Sequence, residues 1–338
     1  MQTNKYTMLL TTPVALPKNG PRISHKSRIM LVGSCFADNI GKRMQERKFD
    51  ITVNPFGVQY NPFSIAGVLE RVATGKRFDA SSCEIFEHDG MWHSLLHHSS
   101  FSRASREELL ECINRRLTVA QETAKECDIV IITFGTAYVY TRKSDGVVAG
   151  NCHKLPSNNF DRRLLSIEEI VQRTAQVTGL YRENNPDVKF LFTVSPIRHL
   201  RDGAHDNQIS KATLLLSIDR LQQQFPENIF YFPAYEILLD ELRDYRFFAE
   251  DMTHPSATAV EYIWERFSEH CFDRDTKDIN TEIENIIKGL AHRPFNATSE
   301  GYKQFIEGIS KKIALLRERH PYLNFENETR QCNTLFNR

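Results

Sequence analysis

Two continuous apolar runs limit what this chain can fold into. Asp128–Phe134 reads DIVIITF and Val188–Val194 reads VKFLFTV. A strand with no polar face is buried on both sides, which is the situation of a parallel sheet covered by helices. The surrounding pattern agrees. Ile29–Val32 is a short apolar run ending at Gly33-Ser34. Cys35–Arg47 then spaces Phe36, Ile40 and Met44 by four, a helical period. Ile51–Val53 reads as another strand, followed by a helix from about Phe63 to Ala73. The helices at Ser105–Cys127 and Ser166–Asn184 both open with Ser-x-x-Glu, the capping-box form. Ser210–Phe225 reads as a helix, Ile229–Phe232 as a strand and Ala257–Cys271 as a helix. Alternation of this kind predicts a three-layer α/β/α fold with a mainly parallel sheet.

Two hairpins interrupt the alternation. One is centred on Asp89-Gly90 within Ile85–Trp92. The other joins Ala137–Thr141 to Val147–Ala149 around Ser144-Asp145-Gly146. After Cys271 only helices follow, about Thr276–Gly289 and Ser299–His320. About 60 residues make a marginal core alone. Residues 1–275 are therefore read as the catalytic domain, and 276–338 as a helical extension packed on it.

Composition excludes several function classes. Lys and Arg total 43 and so do Asp and Glu, so the net charge is zero. That removes the basic footprint of a nucleic-acid binder. No apolar run is long enough to span a bilayer. The first twenty residues lack the apolar core of a secretory signal. The seven cysteines are odd in number and show no CxxC spacing. Neither a disulfide framework nor a zinc ribbon is indicated, and reduced thiols in the cytoplasm are expected. No metal and no organic cofactor is called for.

Ligands of parallel sheets bind at the carboxyl ends of the strands. The first such end is Gly33-Ser34-Cys35. Gly33 permits a tight turn, and the backbone N–H groups of Ser34 and Cys35 suit an oxyanion. The plain alternative for Ser34 is an N-cap. The second feature is Asp251-Met252-Thr253-His254-Pro255. Proline suits a first helical position, which puts His254 at the cap, where the helix dipole favours a neutral ring. Asp251 can reach the other ring nitrogen and fix its tautomer. A hydroxyl nucleophile needs a base beside it, so a serine and a histidine at two strand ends support each other. Cys35 suits a thiolate or plain packing. Arg198, in Ser195-Pro196-Ile197-Arg198-His199, either binds an anionic substrate group or pairs with a carboxylate. Ser210-Lys211 could face the same pocket. His88, His93, His97 and His98 read as a solvated hairpin.

Gly33-Ser34-Cys35-Phe36-Ala37 resembles the motif of GSCFA-domain proteins, which look like members of the SGNH/GDSL hydrolase superfamily. Asn54-Pro55-Phe56-Gly57, Thr133-Phe134-Gly135-Thr136-Ala137 and Asn151-Cys152-His153-Lys154 are similar to the family as well. Ser195-Pro196-Ile197-Arg198-His199 and Asp251–Pro255 look family-like too, and the resemblance runs from about Lys5 to at least Cys271, with a helical tail that is also similar to the family. It implies a flavodoxin-like sandwich and ester chemistry at an acyl group. Matching residues make Ser34 the nucleophile, His254 the base and Asp251 its orienter, with Gly57 as the oxyanion glycine. The superfamily's donor asparagine, in a G-x-N-D motif, is absent, because this strand ends Gly135-Thr136-Ala137-Tyr138. Thr136, or Asn151 or His153 carried in by the hairpin, takes its place, or the oxyanion hole is weaker.

The expected function is a serine esterase or deacylase acting on an acyl ester of a carbohydrate or other small hydroxyl compound. Acyl transfer by the same residues is one alternative, and a binding protein without catalysis is the other. The sequence leaves the oligomeric state open.

Overall fold

A computed structural model describes residues 11–336. The start of the family-like stretch at Lys5 and the first half of the N-terminal segment lie outside them. Five parallel strands form the central sheet. They are β1 (Arg28–Gly33), β2 (Asp50–Val53), β5 (Ile129–Phe134), β9 (Lys189–Val194) and β10 (Ile229–Tyr231), in the order β10-β9-β5-β1-β2. Gly33 pairs with Thr133, and Phe134 with Val194, so the carboxyl ends of β1, β5 and β9 finish level.

Alternation along each strand divides the core into two layers. Met30, Val32, Val130, Ile132, Phe190 and Phe192 point to one face. Helices α2 (Pro62–Thr74), α3 (Arg106–Lys125), α4 (Ile167–Asn184) and α5 (Ala204–Gln224) cover that face. Ile29, Leu31, Ile129, Ile131 and Leu191 point to the other, under α1 (Cys35–Glu46) and α7 (Ala257–Cys271). A short helix α6 (Ala234–Glu236) and the π-turn Ile237–Glu241 complete this layer. The chain leaves β1 toward β2 through α1 on one face and returns to β5 through α2 and α3 on the other. Strand order therefore reverses between β1 and β5, where an open α/β sheet makes its ligand crevice.

The hairpins form two separate small sheets. One pairs β3 (Ile85–His88) with β4 (Met91–Ser94). The other has three strands rather than two. β6 (Tyr138–Arg142) pairs with β7 (Val148–Ala149) and also with β8 (Phe160–Leu164), which the sequence reading did not anticipate. At the other end of the chain, α8 (Arg274–Ala291), α9 (Glu300–Arg319) and α10 (Glu326–Phe336) bury Ile283, Ile286, Ile306, Ile309, Leu316 and Phe325 against one another. Among the described residues no helix is long and apolar enough to cross a membrane.

Candidate active site

The turn from β1 into α1 builds the first half of the site. A Cβ on Gly33 would lie 2.4 Å from the Thr133 carbonyl oxygen, so only glycine lets β1 leave the sheet this close to β5. Ser34 follows, 1% exposed, as the N-cap of α1. Its Oγ accepts the Phe36 N–H at 3.3 Å and its carbonyl the Ala37 N–H at 2.8 Å. Asn54, just after β2, braces this turn from the side. Its Oδ1 accepts the Gly33 N–H at 2.8 Å, and its Nδ2 donates to Asp38 Oδ1 at 2.5 Å. Cys35 places Sγ 3.3 Å from the Tyr60 Oη. Burial first, and then the Cys35 contact, push the Tyr60 phenol well above its ordinary range. A cavity of about 510 Å³ opens beside this turn, lined by Cys35, Asp38, Gly57, Tyr60, His98 and Arg116 among others.

The second half is a tight exposed turn. Asp251 Oδ1 accepts the backbone N–H groups of Thr253 and His254, each at 2.9 Å. Its Oδ2 lies 2.5 Å from His254 Nδ1. The His254 backbone N–H, then that of Thr253, then the ring hold the Asp251 carboxyl well below the usual carboxylate range. An ionised carboxylate on Nδ1 keeps the proton there and leaves Nε2 as the acceptor. Met252 closes the turn at φ +58°, and the Ala249 N–H donates to the His254 carbonyl at 2.7 Å. The His254 side chain is 49% exposed. Sequence reasoning put His254 at the helix cap, and the structure corrects this. The cap is Ser256, whose Oγ accepts the Ala259 N–H at 3.2 Å. Carboxylate rather than helix dipole thus governs the ring.

Ser34 and His254 share no hydrogen bond in this structure, and the His254 turn meets the sheet through the loop after β9. His199, past the end of β9, lies over Gly135 at the end of β5, the strand beside β1. The Arg198 guanidinium lies 5.8 Å from the centre of the Phe248 ring, and Phe248 pairs with Pro255, next to His254. Ser34 thus follows the end of β1, while the turn carrying His254 packs near the loop after β9, with β5 between these two strands.

Residues 28–267 match the model of the GSCFA family. The chain belongs to this family. Residues 283–337 match a second model, described as the C-terminal domain of GSCFA domain proteins. No curated protein matches the chain. Among solved structures, an acetyl xylan esterase from the rumen bacterium Butyrivibrio proteoclasticus aligns at 11% identity, with a TM-score of 0.38. The alignment covers 72% of this chain and 63% of the esterase, so the chain spans less than two thirds of that protein's length.

Several donors expected around the serine are engaged elsewhere in this GSCFA protein. The Gly57 N–H donates to the Asn54 carbonyl at 2.8 Å. Gly57 is instead needed for shape, at φ +80° with His98 2.3 Å from where its Cβ would be. The N–H groups of Gly135 and Thr136 both donate to the Tyr60 carbonyl, at 2.8 and 2.9 Å. The Thr136 hydroxyl bonds Ser210 Oγ at 3.1 Å. Asn151 Oδ1 accepts the His153 N–H, and His153 Nε2 donates to the Ser94 carbonyl at 2.8 Å. Both therefore brace the hairpin layer rather than the cavity. Nor is the histidine group wholly solvated: His97 is fully buried, stacked 4.2 Å from the Phe56 ring. Among the residues expected as oxyanion donors, Cys35 offers a backbone N–H at the first helical position with no acceptor among the described residues.

Two residues gain weight from the structure. Lys211 lies inside α5 and is fully buried. Its Nζ donates to the Gly135 carbonyl at 2.6 Å and the Ser195 carbonyl at 2.7 Å. It thereby ties the end of β5 to the end of β9, and burial lowers its pKa to about 7. His199 was passed over in favour of its neighbour Arg198. A histidine five residues beyond a buried strand end was the available signal. Among the described residues no group of three His, Cys, Asp or Glu side chains is arranged to hold a metal ion.

Proposed function

We propose that this protein is a serine esterase or deacylase. Ser34 Oγ attacks the ester carbonyl carbon and passes its proton to His254 Nε2. The carbonyl oxygen takes up the negative charge. As the acyl–oxygen bond of the alcohol breaks, His254 returns the proton to the departing oxygen. Water, deprotonated by the same histidine, then releases the acid from Ser34. Asp251 holds the ring and stabilises its charged form. The observation that supports the reading is the Asp251–His254 pair, 2.5 Å between carboxylate and Nδ1, together with Ser34 at the carboxyl end of β1.

In this mechanism Ser34 gives up its hydrogen bond from the Phe36 N–H when it turns toward His254. One neutral hydrogen bond contributes about 1 kcal/mol net, so the rearrangement is affordable within a Michaelis complex. The test is hydrolysis of short acyl esters by wild type and Ser34→Ala, paired with a serine-reactive phosphonate. The expected result is activity and labelling in wild type and neither in the variant. Equal hydrolysis by both proteins would sink the assignment.

A further inference from the structure

An acyl oxygen that turns into an oxyanion needs more than one donor, because each contributes about 10²–10³ in rate. Around Ser34 the backbone N–H groups of Gly57, Gly135 and Thr136 are already bonded within the protein. The His199 ring, beside Gly135 at the end of β5, makes no hydrogen bond among the described residues. The His199 backbone is fixed, its N–H donating to Asn207 Oδ1 at 2.9 Å. Its ring packs edge-on against Tyr60, centroids 5.9 Å apart. Its Nε2 lies 3.4 Å from where a Gly135 Cβ would sit. Neither ring nitrogen hydrogen-bonds any described residue, although the ring is only partly exposed. A packed, oriented imidazole with no internal partner, at the carboxyl edge of the sheet, is poised to bond something that enters the crevice.

We infer that His199 is a further catalytic residue, whose ring N–H donates to the substrate acyl oxygen as negative charge builds on it. The inference rests on Ser34 being the nucleophile. The charge state of the ring suits the role. Burial, then Lys211, then His254 lower its pKa to about 4, so the ring stays neutral near pH 7 and holds one N–H and one lone pair. A group this weakly basic is a poor proton acceptor but a good fixed donor. Division of labour follows: His254, backed by Asp251, moves the proton, and His199 steadies the oxygen. Lys211 serves as a positioning residue, holding the strand ends on which Gly135 and the His199 loop are mounted.

The experiment compares wild type, Ser34→Ala, His199→Phe and His199→Gln in steady-state hydrolysis of a short acyl ester, with melting curves for each. Phenylalanine keeps a flat ring and removes the donor, whereas glutamine restores an N–H of similar reach. The expected result is a fall of about 10²-fold in kcat for His199→Phe at little-changed KM, with at least tenfold recovered by His199→Gln. If His199→Phe does not fold, His199→Met against His199→Gln gives the same contrast. A wild-type kcat in His199→Phe overturns the inference, and so does a loss confined to KM. If activity is absent, or Ser34→Ala is as active as wild type, the parent reading falls and this one with it. A Ser34-dependent enzyme indifferent to His199 overturns this inference alone.

Discussion

The two halves of the candidate site are built on opposite principles. Ser34 is buried at the carboxyl end of β1, and everything about it is fixed by the sheet and by Asn54. His254 sits half-exposed on a turn held by one carboxylate and a short pairing between Phe248 and Pro255. The first half belongs to the core, so altering it affects folding and chemistry together. The second half is hung on the outside, so it can be altered with little effect on folding. The contrast teaches that one candidate group can be fixed by the fold while the other is left in water's reach.

The sharpest way to break this contrast is His254→Ala. Activity should fall by about 10⁴-fold or more, while the melting temperature stays within the small range of an exposed substitution. A large loss of stability would mean that the turn is structural. Next is Asp251→Asn. The amide oxygen can still accept the Thr253 and His254 N–H groups, so the turn survives, but the anion on Nδ1 is gone. A loss of about 10²–10⁴ in kcat is expected at unchanged circular dichroism. Retained activity would remove Asp251 from the mechanism.

On the buried side, Lys211→Met probes the lysine beneath the site. The folded pKa of about 7 is below the ordinary 10.5. Between these values the unfolded chain binds more protons than the folded one, so the lysine's burial cost fades as pH rises from about 7 to about 10.5. Wild type should therefore gain in melting temperature relative to the variant over that window. A pH-independent difference would show that the lysine is not desolvated as described. Gly57→Ala should cost more than about 1 kcal/mol, because the left-handed φ and the His98 contact both resist a side chain. Denaturant titration measures it, and a neutral result would relocate the rigid boundary of the Ser34 half. The smallest effect is expected from Ser256→Ala, about 1 kcal/mol from loss of the α7 cap. Calorimetry would record it, and kcat should be unmoved.

Much of this was legible in the chain because apolar pattern is a local signal. The unbroken runs of β5 and β9 could be buried only in a covered parallel sheet, and Ser105 and Ser166 marked helix starts that the structure keeps. β8 escaped because Asp161, Arg162 and Arg163 face solvent and disguise an edge strand as a loop. α10 escaped because it buries little more than Cys332. At the candidate site, the place of Ser34 at the end of β1 and the Asp251–His254 contact were legible through residue type and spacing. The engagement of Gly57, Gly135 and Thr136 was not, since it depends on where the carbonyls of Asn54 and Tyr60 come to lie. Hydrogen-bond commitments of that kind are tertiary facts. The same holds for His199, whose ring has no hydrogen-bond partner among the described residues.

The three C-terminal helices carry a consequence of a different kind. Their apolar faces close on a cluster of their own, and polar contacts bind them to the rest. Arg47 pairs with Glu284 and Lys48 with Glu328, while Lys26 lies over the Tyr322 ring. Lys26, Arg47 and Lys48 all precede the starts of β1 and β2, at the end of the sheet away from Ser34. The C-terminal helices thus keep an apolar cluster of their own and meet the rest of the chain in part through ion pairs. Added salt loosens the exposed part of such contacts without touching either hydrophobic interior. The salt-sensitive contacts of the C-terminal helices therefore lie at the rim of the sheet opposite Ser34.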